Sequence, residues 1–110
     1  DMREASSIVI IKELIEKGAK IQVYDPKAMK EAEEHYFKNE YKISYCENKY
    51  KAIDGADALI LITEWKEFRS PDFTRISALL NQSVIFDGRN QYDKQMLKKY
   101  GYEYYQIGVK

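Results

Sequence analysis

Four short stretches of the 110-residue chain carry side chains suited to meeting a ligand. They are Asp25 at the end of "KIQVYD", Thr63-Glu64-Trp65 after "DALILI", Asp87-Gly88-Arg89-Asn90 after "SVIF", and Gly108. Arginine offers a planar fork of five donors that matches phosphate or a base carbonyl. Gly88 would let the backbone approach a ligand closely. Each stretch also has a plain reading. Asp25 suits a helix cap, Glu64 and Trp65 a loop anchor, and residues 87–89 a tight turn with a surface arginine. Arg3 beside Glu4 reads equally as a first-turn ion pair, worth little at a surface. His35 reads as a solvent-facing helix residue. Cys46 reads as an inert packing residue, since Lys49 is the only basic neighbour in sequence that would lower its pKa.

Reactive constellations are absent from the sequence. There is no G-x-G-x-x-G after a first strand and no G-x-x-x-x-G-K-[ST]. No nucleophile elbow, metal box or carboxylate pair occurs. One histidine and one cysteine cannot build a structural zinc site, and a single cysteine excludes an internal disulfide framework. That cysteine usage suits a reducing cytoplasm. The residues alone describe a nucleotide-binding module without a visible reactive group or metal box.

Helical pattern alternates with short apolar runs along the chain. In "ASSIVIIKELIEKG", Ile8, Ile11 and Ile15 follow the i, i+3, i+7 spacing of one helix face, Leu14 widens it, and Gly18 caps it. Strands are expected at residues 20–24, 43–46, 57–63, 83–86 and within "YEYYQI". The run 57–63 is the most apolar and reads as the buried central strand. Asp25-Pro26, Ser70-Pro71 and Asp93 mark helix starts, a short helix is expected at 48–54, and Gly101 marks a helix end. Such interleaving predicts an α/β three-layer sandwich with a doubly wound, mostly parallel, Rossmann-like sheet. The pattern opens on a helix where such folds open on a strand, so the sheet is expected to lack its first strand. Ligands bind outside the carboxyl ends of parallel strands, where Asp25, Glu64, Arg89 and Gly108 would gather.

Eighteen basic residues balance eighteen acidic ones, so no net field favours nucleic acid or an anionic membrane. No apolar run approaches the roughly 20 residues that span a bilayer. The length suits one domain, residues 1–110.

Certain phrases are specific in combination. "DMREASS", "GAKIQVYDPKAM", "GADALILITEWKEFRSPDF" and "VIFDGRNQYD" occur in the order found in the C-terminal UDP-binding domain of UDP-glucose 6-dehydrogenases, which the whole chain resembles. The resemblance implies part of an NAD-dependent enzyme of nucleotide-sugar metabolism that oxidises UDP-glucose to UDP-glucuronate and serves polysaccharide biosynthesis. It implies that the reactive cysteine, the NAD-binding domain and a central dimerising helix lie in protein outside this chain. Cys46 does not match the nucleophile's motif. Arg89, in F-D-G-R, is similar to the family's UDP-sugar contact. Arg3, in D-x-R-E, is similar to the residue that reaches toward NAD. The implied partners are UDP-glucose, the rest of the parent enzyme and further copies in a homo-oligomer, in the cytoplasm. In the usual 3-2-1-4-5-6 order the absent strand is central, so an altered strand neighbour or a domain swap is expected beside "QVY" and "LILIT". The same domain of a UDP-N-acetylmannosamine or GDP-mannose dehydrogenase is the near alternative. A stand-alone nucleotide sensor is a second, and a receiver-like phosphoacceptor domain a more distant third.

Overall fold

The computed structural model describes residues 2–25, 42–62 and 71–106, and only the backbone of residues 2–7. The chain divides into two compact units, Asp1–Ala52 and Ile53–Lys110.

In the first unit, α1 (Met2–Glu16) precedes β1 (Ile21–Val23), which pairs in parallel with β2 (Ile43–Tyr45). Ile8 from the helix and Ile43 from the strand are buried, with Ile11, Ile15, Ile21 and Tyr45 packed around them. The isoleucine stripe read from the spacing is therefore the face that meets the strands. Gly18 ends α1 with φ 95°, and the amides of Gly18 and Ala19 close back on Ile15 and Leu14 carbonyls at 3.0 Å each. Only a glycine takes that conformation without strain. Asn48 caps α2 (Lys49–Ile53), its Oδ1 accepting from the Lys51 amide at 2.9 Å.

The second unit holds β3 (Leu59–Leu61), α3 (Phe73–Leu79), β4 (Val84–Asp87), α4 (Lys94–Lys99) and β5 (Glu103–Gln106). Its sheet runs β3-β4-β5, and both pairings are parallel. Ile85 in β4 and Leu97 in α4 are fully buried. Asp93 caps α4 as expected, accepting from the Gln95 and Met96 amides. The alternation of helix with parallel strand is α/β and Rossmann-like, as expected.

Two details differ from the sequence reading. The cap of α3 is Asp72, whose Oδ1 accepts from the Arg75 amide at 3.0 Å, so Pro71 stays outside the helix instead of opening it. A carboxylate one residue past the proline serves as the cap, where the serine at position 70 was expected. The central strand of this sheet is β4, whereas β3 has one strand partner among the described residues. An unbroken apolar run reports how its faces are covered, and it says nothing about how many ladders a strand joins. β1 likewise has one strand partner among the described residues, β2.

Candidate functional site

β4 ends in Asp87, and the loop it opens folds around that residue's own carboxylate. Asp87 is completely buried. Its Oδ1 accepts from the Arg89 amide at 2.9 Å, and its Oδ2 from the Gln91 and Tyr92 amides at 2.7 and 3.1 Å. Tyr104, one strand away on β5, adds its hydroxyl to Oδ2 at 2.6 Å. The same Tyr104 oxygen lies 3.1 Å from the Tyr92 carbonyl and accepts from Gln106 Nε2 at 3.3 Å. Four donors converge on one buried carboxylate, which is how a polar group is kept out of water at tolerable cost.

The rest of the turn is equally constrained. The Gly88 amide donates to the Leu61 carbonyl at 2.8 Å, and a Cβ at position 88 would stand 3.1 Å from that same oxygen. Here the glycine is needed for the close approach of β3, and that already accounts for the residue type. Asn90 is in the left-handed region at φ 55°, a conformation asparagine tolerates better than most. Tyr92, buried, meets Phe73 edge to face with ring centroids 5.2 Å apart.

This geometry divides the F-D-G-R-N lip. Asp87 faces inward, and the Arg89, Gln91 and Tyr92 amides that might have cradled an anion are already spent on it. Arg89 is half-buried with its Nε enclosed, and it is the cation the loop carries at the carboxyl end of β4. The Gln91 side-chain amide is enclosed, with no hydrogen-bond partner at either end among the described residues.

Burial raises the Tyr104 hydroxyl to about 12, with the Asp87 carboxylate adding to the effect. Burial likewise raises Tyr102 to about 12, and raises Tyr92 further with help from Asp87. None of the three is poised for proton transfer near neutrality.

The other singled-out residues fall elsewhere. Arg3 lies in α1, in the first unit, and its side chain is outside the described residues. Asp25 follows β1 and is half-buried; the helix it was expected to cap lies outside the described residues, as do Thr63-Glu64-Trp65, Gly108 and His35. Cys46 is half-buried, burial pushes its thiol up, and the cation that partly offsets this is Lys51 and not Lys49. A thiol shifted upward is a weak nucleophile, in keeping with a packing role. Among the described residues no cluster of histidine, cysteine and carboxylates could hold a metal ion, and no helix is long and apolar enough to cross a membrane.

Sequence reasoning had no means to find Tyr104 and Tyr92 as partners of Asp87. The available signal was the alternation in "YEYYQ", which correctly separates buried Tyr102 and Tyr104 from Tyr105, 49% exposed.

Comparison with known proteins gives a consistent result. Residues 1–94 match the model of the UDP-glucose/GDP-mannose dehydrogenase family, UDP binding domain. The chain is similar to the UDP-glucose 6-dehydrogenase of Pseudomonas aeruginosa, with 36% identity over 98% of this chain and 24% of that protein. It is 38% identical to the UDP-glucose 6-dehydrogenase of Gallus gallus and 34% identical to that of Rickettsia bellii, each over 100% of this chain and 25% of the relative. The chain thus spans about a quarter of the length of the curated relatives it matches.

Proposed function

The chain belongs to the UDP-glucose/GDP-mannose dehydrogenase family, and on that premise we propose that it is the UDP-sugar-binding domain of an NAD-dependent UDP-glucose 6-dehydrogenase. In this reading it holds the nucleotide half of UDP-glucose while the parent enzyme oxidises the sugar to UDP-glucuronate. Arg89 is the contact to the UDP-sugar. The observation that supports this is the fixed seat of Arg89 at the carboxyl end of β4, the side on which open parallel sheets bind ligands. A guanidinium there supplies paired donors for a diphosphate, which the occupied amides of its own loop do not.

The chemistry NAD supplies when bound is hydride acceptance in the two successive oxidations. NAD is held by parts of the parent enzyme beyond this chain, with Arg3 reaching toward it. The reading carries the reactive cysteine, assembly into a homo-oligomer and a cytoplasmic location with the parent enzyme.

Calorimetric titration of the chain with UDP, UDP-glucose and GDP-mannose tests the proposal. UDP and UDP-glucose are expected to bind, with the affinity lost in Arg89→Ala. Unchanged binding by that variant removes Arg89 from the site. Preference for GDP-mannose would move the chain to the sister branch of the family.

A further inference from the structure

We infer that Asp87 is the positioning residue that sets where Arg89 stands, and that Tyr104 in turn fixes the Asp87 carboxylate. The inference rests on Arg89 being the nucleotide-sugar contact and goes beyond it, because Asp87 itself is turned away from any ligand.

The argument begins with direction. A carboxylate at the end of a parallel strand, beside an arginine, invites the reading of a ligand-facing acid. Asp87 is instead fully buried, and both its oxygens are engaged from within the chain. Its two oxygens divide the work. Oδ1 holds the Arg89 amide, two residues on, and so fixes the backbone from which the guanidinium springs. Oδ2 gathers the Gln91 and Tyr92 amides on the far side of the turn, together with the Tyr104 hydroxyl from β5. Arg89 is therefore bracketed, held by its own amide on one oxygen and by the next turn of chain on the other. Gly88 closes the bracket from the opposite side through its bond to the Leu61 carbonyl of β3. The loop is referenced to all three strands of its sheet: β4 through the chain, β3 through Gly88 and β5 through Tyr104. An arginine on a long flexible stem loses affinity steeply when its backbone drifts, because each bidentate contact depends on direction.

Asparagine at position 87 keeps the shape and one acceptor oxygen. Its amide nitrogen then confronts either the Arg89 amide or the three donors on the other side with a further donor. The test is a double-mutant cycle of Asp87→Asn and Arg89→Ala in the full-length protein that carries this chain, read as the dissociation constant for UDP-glucose by calorimetry. Asp87→Asn alone is expected to weaken binding about ten-fold or more, yet to change it less than two-fold when Arg89 is already alanine. A melting temperature measured for each variant should fall by the same amount in both backgrounds, since the same donors are stranded. Equal weakening of UDP-glucose binding in both backgrounds, or none in either while Arg89→Ala alone weakens it, overturns the positioning role and leaves the arginine in place. If Arg89→Ala alone leaves binding intact, the arginine reading fails and this inference falls with it. Should Asp87→Asn not fold, Tyr104→Phe removes one of the four donors. It is expected to weaken binding about three-fold, again only while Arg89 is present, and the same outcomes decide.

Discussion

The two units are held together by different chemistry. The first packs an isoleucine stripe of α1 onto two short strands, and the buried members of that cluster, Ile8 and Ile43, carry no polar side-chain atom. The second buries a carboxylate and threads tyrosine hydroxyls through its interior, to Asp87 from Tyr104 and to the Phe73 carbonyl from Tyr102. An aliphatic core responds to lost volume and is blind to pH. A core with satisfied polar groups responds to single atoms, because each donor left without its acceptor bears the full cost of desolvation. The loop that carries Arg89 lies where the interior is polar, since a loop that must hold an arginine in one place needs directional bonds.

The sharpest break of this contrast is Asp87→Ala. Stranding four donors in a fully buried site is expected to cost roughly 3–5 kcal/mol, read by urea denaturation of the folded protein. A loss below about 1 kcal/mol would mean that water or neighbouring groups replace the carboxylate, and the second interior would be less specified than its bonds imply.

Alkaline titration probes the same network more gently. Tyr102 and Tyr104 hold their protons to about pH 12 when folded, against an ordinary value of 10.0. The folded state thus favours the protonated form, so the contribution is complete below pH 10 and lost as pH rises from about 10 to 12. Each tyrosine contributes up to ~1.4 kcal/mol of decline per pH unit in that window. Melting temperature should fall across it, and Tyr104→Phe should make the fall shallower. A flat profile would show that the hydroxyls are not buried in solution as they are here.

Ile43→Val should have the smallest effect, about 0.5–1.5 kcal/mol by thermal melt, for one methyl removed from the aliphatic cluster. The loss should be equal at pH 8 and pH 11. A pH-dependent loss would tie the two interiors to one another.

The comparison also explains what could be read in advance. Periodicity located α1 and its core stripe, because Ile8, Ile11 and Ile15 make their contacts through spacing alone. Caps located α4 and the end of α1, because Asp93 and Gly18 act on backbone within a turn of themselves. The cap expected at Ser70-Pro71 is instead Asp72, because serine and aspartate are both good caps and propensity alone does not rank them. The lip at 87–90 was recognisable as special, with Arg89 as its ligand-facing candidate, but the inward turn of Asp87 was not. Its deciding partner, Tyr104, lies seventeen residues on, and only the parallel register of β4 with β5 brings the two together.

That register has a kinetic consequence. Leu59 stands opposite Ile85 and Val84 opposite Glu103, so neither of these two pairings can form by zipping up a hairpin. Each ladder must wait for a helix to form and fold back across the sheet, an entropic cost incurred before any strand contact repays it. The side-chain caps at Asp72 and Asp93 then act as early organisers, since they favour α3 and α4 using neighbours that are present from the start. The carboxylate of the loop that seats Arg89 gains its Tyr104 partner only once β5 has docked, so that bond cannot form before the β4–β5 ladder.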